Sequence, residues 1–433
     1  MKAKISIKLP RIYIVKLQNR EYYVRHNRVK MNKTVKEALK HTSKVFAELD
    51  EISIYNENKV VEAFKKHAVA LRHFNGTSGY GNDDAGRDTL SKVVASIFGT
   101  ENAIVSPLIT SGTHAISLAL FGVLRPNDVV LSVTGQPYDT LHDVIYKDNI
   151  GSLKDFNVRF DTVELSNDGG IDFDSVEHYL RTNSVRMIYI QRSRGYAWRS
   201  ALSIAQIADF CRFVKKISPQ VIIFCDNCYG EFVEKQEPTE VGVDYCAGSF
   251  IKNIGGGLAP TGGYIAGRAD MIELVAGRLT APSIGTEVGS YQPGYRLFYQ
   301  GLFTAPHTVN QALKTLTLFS YALSAKGFDV SPRIGDHFGD IVCAIRLNDP
   351  DKMIKFCQAV QSVSPVDGFV KPEPWNQPGY ADKVIMAAGC FVQGASIELS
   401  CDGPIRAPYT VYLQGGLTLE HGILALEKVL ESL

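Results

Sequence analysis

From about residue 103 to 270 the chain alternates between short apolar, β-branched runs and helical patterns, and this limits the folds open to it more than any other feature. The runs are "AIVS" (103–106), "DVVLSV" (128–133), "VRFDTVEL" (158–165), "VRMIYIQ" (185–191) and "VIIFC" (221–225). Helical patterns over 113–124, 139–147, 172–182 and 203–216 separate most of them. Runs this apolar, joined by helices, predict a doubly wound, mostly parallel sheet buried on both faces. Such sheets bind ligands at the carboxyl ends of their strands. Upstream, Thr34-x-x-Glu37 reads as a capping box opening a helix, and a second helix is expected over 57–73. Downstream of the Gly- and Pro-rich stretch 281–306, the pattern predicts a helix from 308 to 325. After it come strands at 340–347, 395–400 and 410–414 and helices at 350–363 and 418–432. The expected division is a helical segment at 31–75, a large α/β domain at 76–305 and a smaller α+β domain at 306–433.

Charge separates residues 1–30 from the rest: nine Lys or Arg stand against the single acid Glu21. They read as a basic extension, either a disordered arm or residues ahead of a start at Met31; an organellar presequence is the third reading. The whole chain has a net charge of +1, so no global field favours nucleic acid. No segment is apolar enough to span a bilayer. Eight scattered cysteines in 433 residues read as reduced thiols, which points to the cytosol.

Two residues draw the chemistry together. Asp226 ends the run "VIIFCD", at the edge where a ligand would sit. Lys252 follows 26 positions later as the one charge in "AGSFIKNIGGGLAPTGGYIAG" (247–267). A lysine among small residues can form an imine with an aldehyde cofactor, and burial is expected to lower its pKa and sharpen it as a nucleophile. An aspartate can keep a pyridine nitrogen protonated. The pair is the mark of a pyridoxal 5'-phosphate site. Ser111, Gly112 and Thr113 open a helix in "TSGTHAISLALFG", where backbone N–H groups suit a phosphate; Ser249 adds a hydroxyl. Tyr138, in "TGQPYDTL", is placed to stack on the ring. The bland readings are a surface lysine, an ordinary helix cap and a core tyrosine. Cys225-x-x-Cys228 has no second Cys/His pair at zinc spacing, so no metal is expected.

Taken together, "YGNDDAGRD", "SGTHAI", "QPYDTL", "IQRSRGYAWR", "CDNCYGEF", "SFIKNIGGGLAPTGGYIAG" and "DGPIRAPYTVYLQGGLT" resemble the pyridoxal-phosphate-dependent Cys/Met-metabolism enzymes of the aspartate-aminotransferase fold. The nearer match is the methionine gamma-lyase-like, or aluminium resistance protein, family, over 31–433. The resemblance implies that Lys252 holds the cofactor, Asp226 meets its pyridine nitrogen and Tyr138 stacks on it. Ser111, Gly112, Thr113 and Ser249 would surround the phosphate, with Tyr80 and Arg87 completing that site from a neighbouring subunit in a dimer or tetramer. Arg406 would grip the substrate carboxylate. The implied reaction is β- or γ-elimination of a thiol from a cysteine- or methionine-like amino acid, with Lys252 as base and Tyr138 as the acid on sulfur. Transamination, racemisation and a regulatory protein with little turnover are the alternatives. Arg192, Ser193 and Arg194 stand where better known lyases carry Asn-Pro, which leaves the substrate open.

Overall fold

The computed structural model describes residues 31–433 except 167, 378, 379 and 381. Of residues 1–30 it describes only the backbone of an antiparallel ribbon, β1 (Ile12–Leu17) and β2 (Arg20–Arg25). The expected basic extension otherwise lies outside the described residues.

Seven strands form the central sheet: β3 (Asn102–Ser106), β4 (Val129–Ser132), β5 (Arg159–Thr162), β6 (Met187–Gln191), β7 (Ile222–Asp226), β8 (Tyr245–Ser249) and β9 (Gly263–Gly267). Their spatial order is β3-β9-β8-β7-β6-β4-β5. Strands β4 to β8 pair in parallel; β9 runs antiparallel between β8 and β3. Strand alternation explains the unbroken apolar runs. Ile188, Ile190, Ile223 and Cys225 enter one core, while Met187, Tyr189, Ile222 and Phe224 enter the core on the opposite face. Helices α2 (Ala85–Ile97), α3 (Gly112–Val123), α4 (His142–Tyr146), α5 (Phe173–Thr182), α6 (Ile204–Ile217) and α7 (Ala269–Leu279) accompany this sheet.

The helical segment departs from its expected form. A single helix, α1 (Lys33–Lys66), replaces the two helices, and its N-cap is Asn32, whose side chain accepts from Thr34 N at 2.9 Å, not Thr34. The polar stretch "SIYNEN" does not interrupt it. Asn56 is buried there and donates to the carbonyls of Phe232 and Glu234, both at 3.0 Å. Helix α8 (Arg296–Ala325) likewise begins a dozen residues before the expected 308 and passes through Pro306. Packing along α1 outweighs the one hydrogen bond that a proline forfeits.

A second sheet of five antiparallel strands has the order β10-β11-β14-β13-β12. The strands are β10 (Asp329–Ser331), β11 (Val342–Arg346), β12 (Val384–Ala387), β13 (Ser400–Pro404) and β14 (Thr410–Gln414), with helices α9 (Pro350–Gln361) and α10 (Leu419–Ser432). The strand expected at 395–400 lies instead at 400–404, and β12 has no counterpart in the expectation. One face of this sheet presents Val342, Ala344 and Tyr412 to Tyr196, Trp198 and Tyr229, which project from loops at the carboxyl edge of the central sheet. The architecture is thus the expected mixed α/β fold, a large, mostly parallel sheet with a smaller antiparallel one. No described helix is long and apolar enough to cross a membrane.

Candidate active site

A cavity of about 240 Å³ opens where the two sheets meet. Seven of the expected residues line it: Ser111, Gly112, Thr113, Tyr138, Asp226, Ser249 and Lys252. Topology explains the convergence. Asp226 and Ser249 are the last residues of the adjacent parallel strands β7 and β8. Lys252 lies just beyond β8, and Tyr138 follows β4. Asp226 Oδ1 accepts from Cys228 N at 3.1 Å, and Tyr189 Oη donates to Oδ2 at 3.5 Å. Burial pushes the Asp226 pKa up, against the pull of the Cys228 N–H and of Lys252.

Lys252 sits with Nζ 3.9 Å from the centre of the Tyr229 ring. Burial works to lower its pKa, but Tyr229, Cys228 and Asp226 together outweigh burial and raise it. The direction is therefore the reverse of the expected lowering. Asn253 fixes the segment. Its Nδ2 donates to the carbonyls of Tyr229 and Glu231, both at 3.0 Å, tying the loop after β7 to the loop after β8. Tyr229 itself has φ of 72°, a left-handed conformation uncommon for an aromatic residue.

At the start of α3, Ser111 caps the helix by accepting from His114 N at 3.0 Å. Two observations fit a phosphate here. A Cβ on Gly112 would lie 3.1 Å from Cys228 Sγ and 3.5 Å from Ser249 Cβ, so a side chain would close the cradle. Ser249 Oγ is buried with no partner among the described residues. Thr113 Oγ1 meets Thr140 Oγ1 at 2.8 Å. Tyr138 is oriented through its backbone N–H, which donates to Gln191 Oε1 at 2.7 Å. Its hydroxyl meets that of Tyr380, and burial drives its pKa far upward.

Three expected residues lie elsewhere. Arg406 is half-exposed and pairs with Asp382 at 3.0 Å, outside the cavity. Arg87 is buried, and its guanidinium is used within its own chain, on Asp88 at 2.9 Å and on the Gly81 carbonyl at 3.0 Å. Tyr80 is 79% exposed. At the departure over 192–194, Arg192 and Arg194 are both fully buried. Arg192 donates to Asn227 Oδ1 (2.9 Å), the Gly230 carbonyl (2.8 Å) and Glu234 Oε1 (2.9 Å). Only Ser193 of the three faces the cavity.

Sequence reasoning missed Tyr229, Tyr196, Gln191, Gln414 and Asp402, all of which line the cavity. Gln414 Nε2 donates to Asp402 Oδ1 at 3.1 Å. Burial raises the Asp402 pKa to about 7, although Tyr196, Lys252 and Gln414 pull it down.

Comparison with known proteins establishes the family. The model of a family described as methionine gamma-lyase matches residues 31–433. YnbB, an uncharacterized protein of Bacillus subtilis (strain 168), is 48% identical over 406 residues, covering 93% of this chain and 96% of its own. A carbon-sulfur lyase involved in aluminum resistance from Clostridium novyi NT is 47% identical with a TM-score of 0.89, over 92% of this chain and 96% of that one. CalE6, a methionine gamma lyase from Micromonospora echinospora, shares the fold at 17% identity and a TM-score of 0.56, over 83% of this chain and 93% of that one. By sequence and by fold, the chain belongs to the methionine gamma-lyase family, whose cofactor is pyridoxal 5'-phosphate.

Proposed function

We propose that the protein is a carbon–sulfur lyase that releases a thiol from a cysteine- or methionine-like amino acid, leaving a 2-oxo acid and ammonia. The observation that carries this reading is one cavity holding a buried lysine amine, a strand-end carboxylate, a helix start and, beside it, the unpartnered hydroxyl of Ser249. Lys252 would hold the cofactor's aldehyde carbon. Ser111, Gly112, Thr113 and Ser249 would hold its phosphate, and Asp226 its pyridine N–H. When bound, the cofactor supplies a sink for the electron pair left on the substrate Cα.

The residues divide the remaining work. Lys252 Nζ is the base for the Cα proton, and the Tyr229 ring and the Asn253 tie keep it aimed into the cavity. Asp226 is raised in pKa by burial, so a cationic N–H beside it would offset that cost and hold it ionised. Tyr138 closes the cavity, its backbone fixed by Gln191. Tyr80, with its ring in solvent, is read as a group that a second copy's site would receive, in a dimer or tetramer with shared sites. The eight free thiols accord with a reducing cytosol.

The test is to incubate the purified protein with cystathionine, cysteine and methionine while assaying 2-oxo acid and thiol, with Lys252→Ala as control. Oxo acid and thiol in equal amounts from at least one substrate, lost in the control, are expected. A wild-type protein that carries the cofactor yet yields no product from any of the three would overturn the lyase reading.

A further inference from the structure

Asp402 is a second carboxyl in the cavity, contributed by the small sheet and not the large one. Alternation along β13 turns Cys401 into the core against Cys357 of α9, and turns Asp402 to the opposite face, into the cavity. Lys252 and Asp226 come from the central sheet, so a substrate between the sheets has the amine base on one side and this carboxyl on the other. The two carboxyls differ in their partners. Asp226 accepts a backbone N–H and a tyrosine hydroxyl. Asp402 is held by the neutral amide of Gln414, and beside it lies Tyr196, whose hydroxyl is buried without a partner among the described residues. Two carboxyls whose surroundings differ in this way divide into an ion and an acid.

We propose that Asp402 is the acid that protonates the departing sulfur, a role that rests on the lyase reading above. Lys252 Nζ takes the Cα proton. The pair of that C–H bond forms the Cα=Cβ bond, and the Cβ–S bond breaks with its own pair on sulfur. The Asp402 O–H proton passes to that sulfur, giving a neutral thiol and a carboxylate. Gln414 and the neighbouring Tyr196 hydroxyl stabilise the carboxylate until water returns a proton. Tyr138 is the less suited donor, because its hydroxyl is engaged by Tyr380 and burial strengthens its hold on the proton. Asp402, raised by burial to about 7, lies just below an ordinary thiol near ~8.5, so the transfer runs downhill. The titratable groups facing it are Lys252, Tyr138, Tyr196, Tyr380 and, across the strand pair, Tyr412.

The experiment compares two substrates that differ only in whether the leaving group needs a proton. On cystathionine, Asp402→Asn should lower kcat about 100-fold or more, the usual size of a lost general acid. On β-chloroalanine, which expels chloride, it should change kcat less than about 3-fold, and Asp402→Glu should recover part of the cystathionine rate. Gln414→Leu removes a donor to the carboxylate and so raises its pKa. The alkaline fall in cystathionine turnover should therefore move to higher pH. Independently of turnover, infrared difference spectra of the wild-type protein should show a protonated carboxyl band that titrates near neutral pH and is missing in Asp402→Asn. Equal losses on both substrates, or an unchanged cystathionine rate, would overturn the assignment; so would the absence of that band. If the wild-type protein eliminates from neither substrate, the lyase reading fails first and takes this role with it, whatever the band shows.

Discussion

Glu231 allows a sharp test, because it is a fully buried carboxyl with no counter-ion in hydrogen-bond contact. Its Oε1 accepts from Tyr264 Oη at 2.8 Å, and its Oε2 has no partner among the described residues. Burial raises its pKa from 4.5 to about 8. The sign follows from linkage. Between those two values the folded chain keeps a proton that the unfolded chain has released, so stability falls as pH rises from 4.5 toward 8 and levels off above. The interval is about 3.5 pH units, and at ~1.4 kcal/mol per unit the ceiling on the loss is about 5 kcal/mol. Glu231→Gln keeps the acceptor for Tyr264 but cannot ionise. At pH 5 the variant should sit within about 1–2 kcal/mol of wild type, the range for an imperfectly paired buried amide. At pH 9 it should be the more stable protein by several kcal/mol. The assay is urea denaturation of both proteins at a series of pH values, read as the difference between them so that all other titrating groups cancel. A difference that stays flat from pH 5 to 9 would refute the reasoning and mean that Glu231 is charged in the fold.

Other outcomes follow from geometry already described. Gly112→Ala should weaken cofactor binding at least about 10-fold in a fluorescence titration, since the new methyl occupies the cradle and presses on Cys228. Ser249→Ala should weaken it similarly, yet leave the cofactor-free protein equally or slightly more stable in a thermal melt, because an unpartnered buried hydroxyl is removed. Arg192→Met should cost about 3–5 kcal/mol in denaturant, because Glu234 and the Gly230 carbonyl lose a buried partner. An Arg192→Met chain as stable as wild type would contradict the structural role assigned to that arginine.

Legibility in the sequence tracked distance along the chain. Asp226, Ser249 and Lys252 were readable because each stands at or just past the end of an apolar run within one sheet, where the residues share an edge by construction. Asp402 and Gln414 could not be read that way. They reach the cavity only because the small sheet turns a face toward the loops of the large one, and β13 carries Gly403 and Pro404, which dilute its strand pattern. Arg406 was misplaced for the same reason: the planar fork suited a carboxylate, but the side chain leaves the β13–β14 turn toward Asp382. In α1 the expectation of two helices missed that the polar Asn56 is spent on tertiary carbonyls and does not end the helix. Pro306 misled similarly, since a chain-local rule cannot weigh the packing of two long helices.

The amide of Asn253 bridges two turns that the sheet by itself would leave free to drift. One side chain thereby joins the loop that follows position 226 to the loop that carries position 252. Removing that amide, as in Asn253→Ala, would release both carbonyls and should detune proton removal without touching either reacting group.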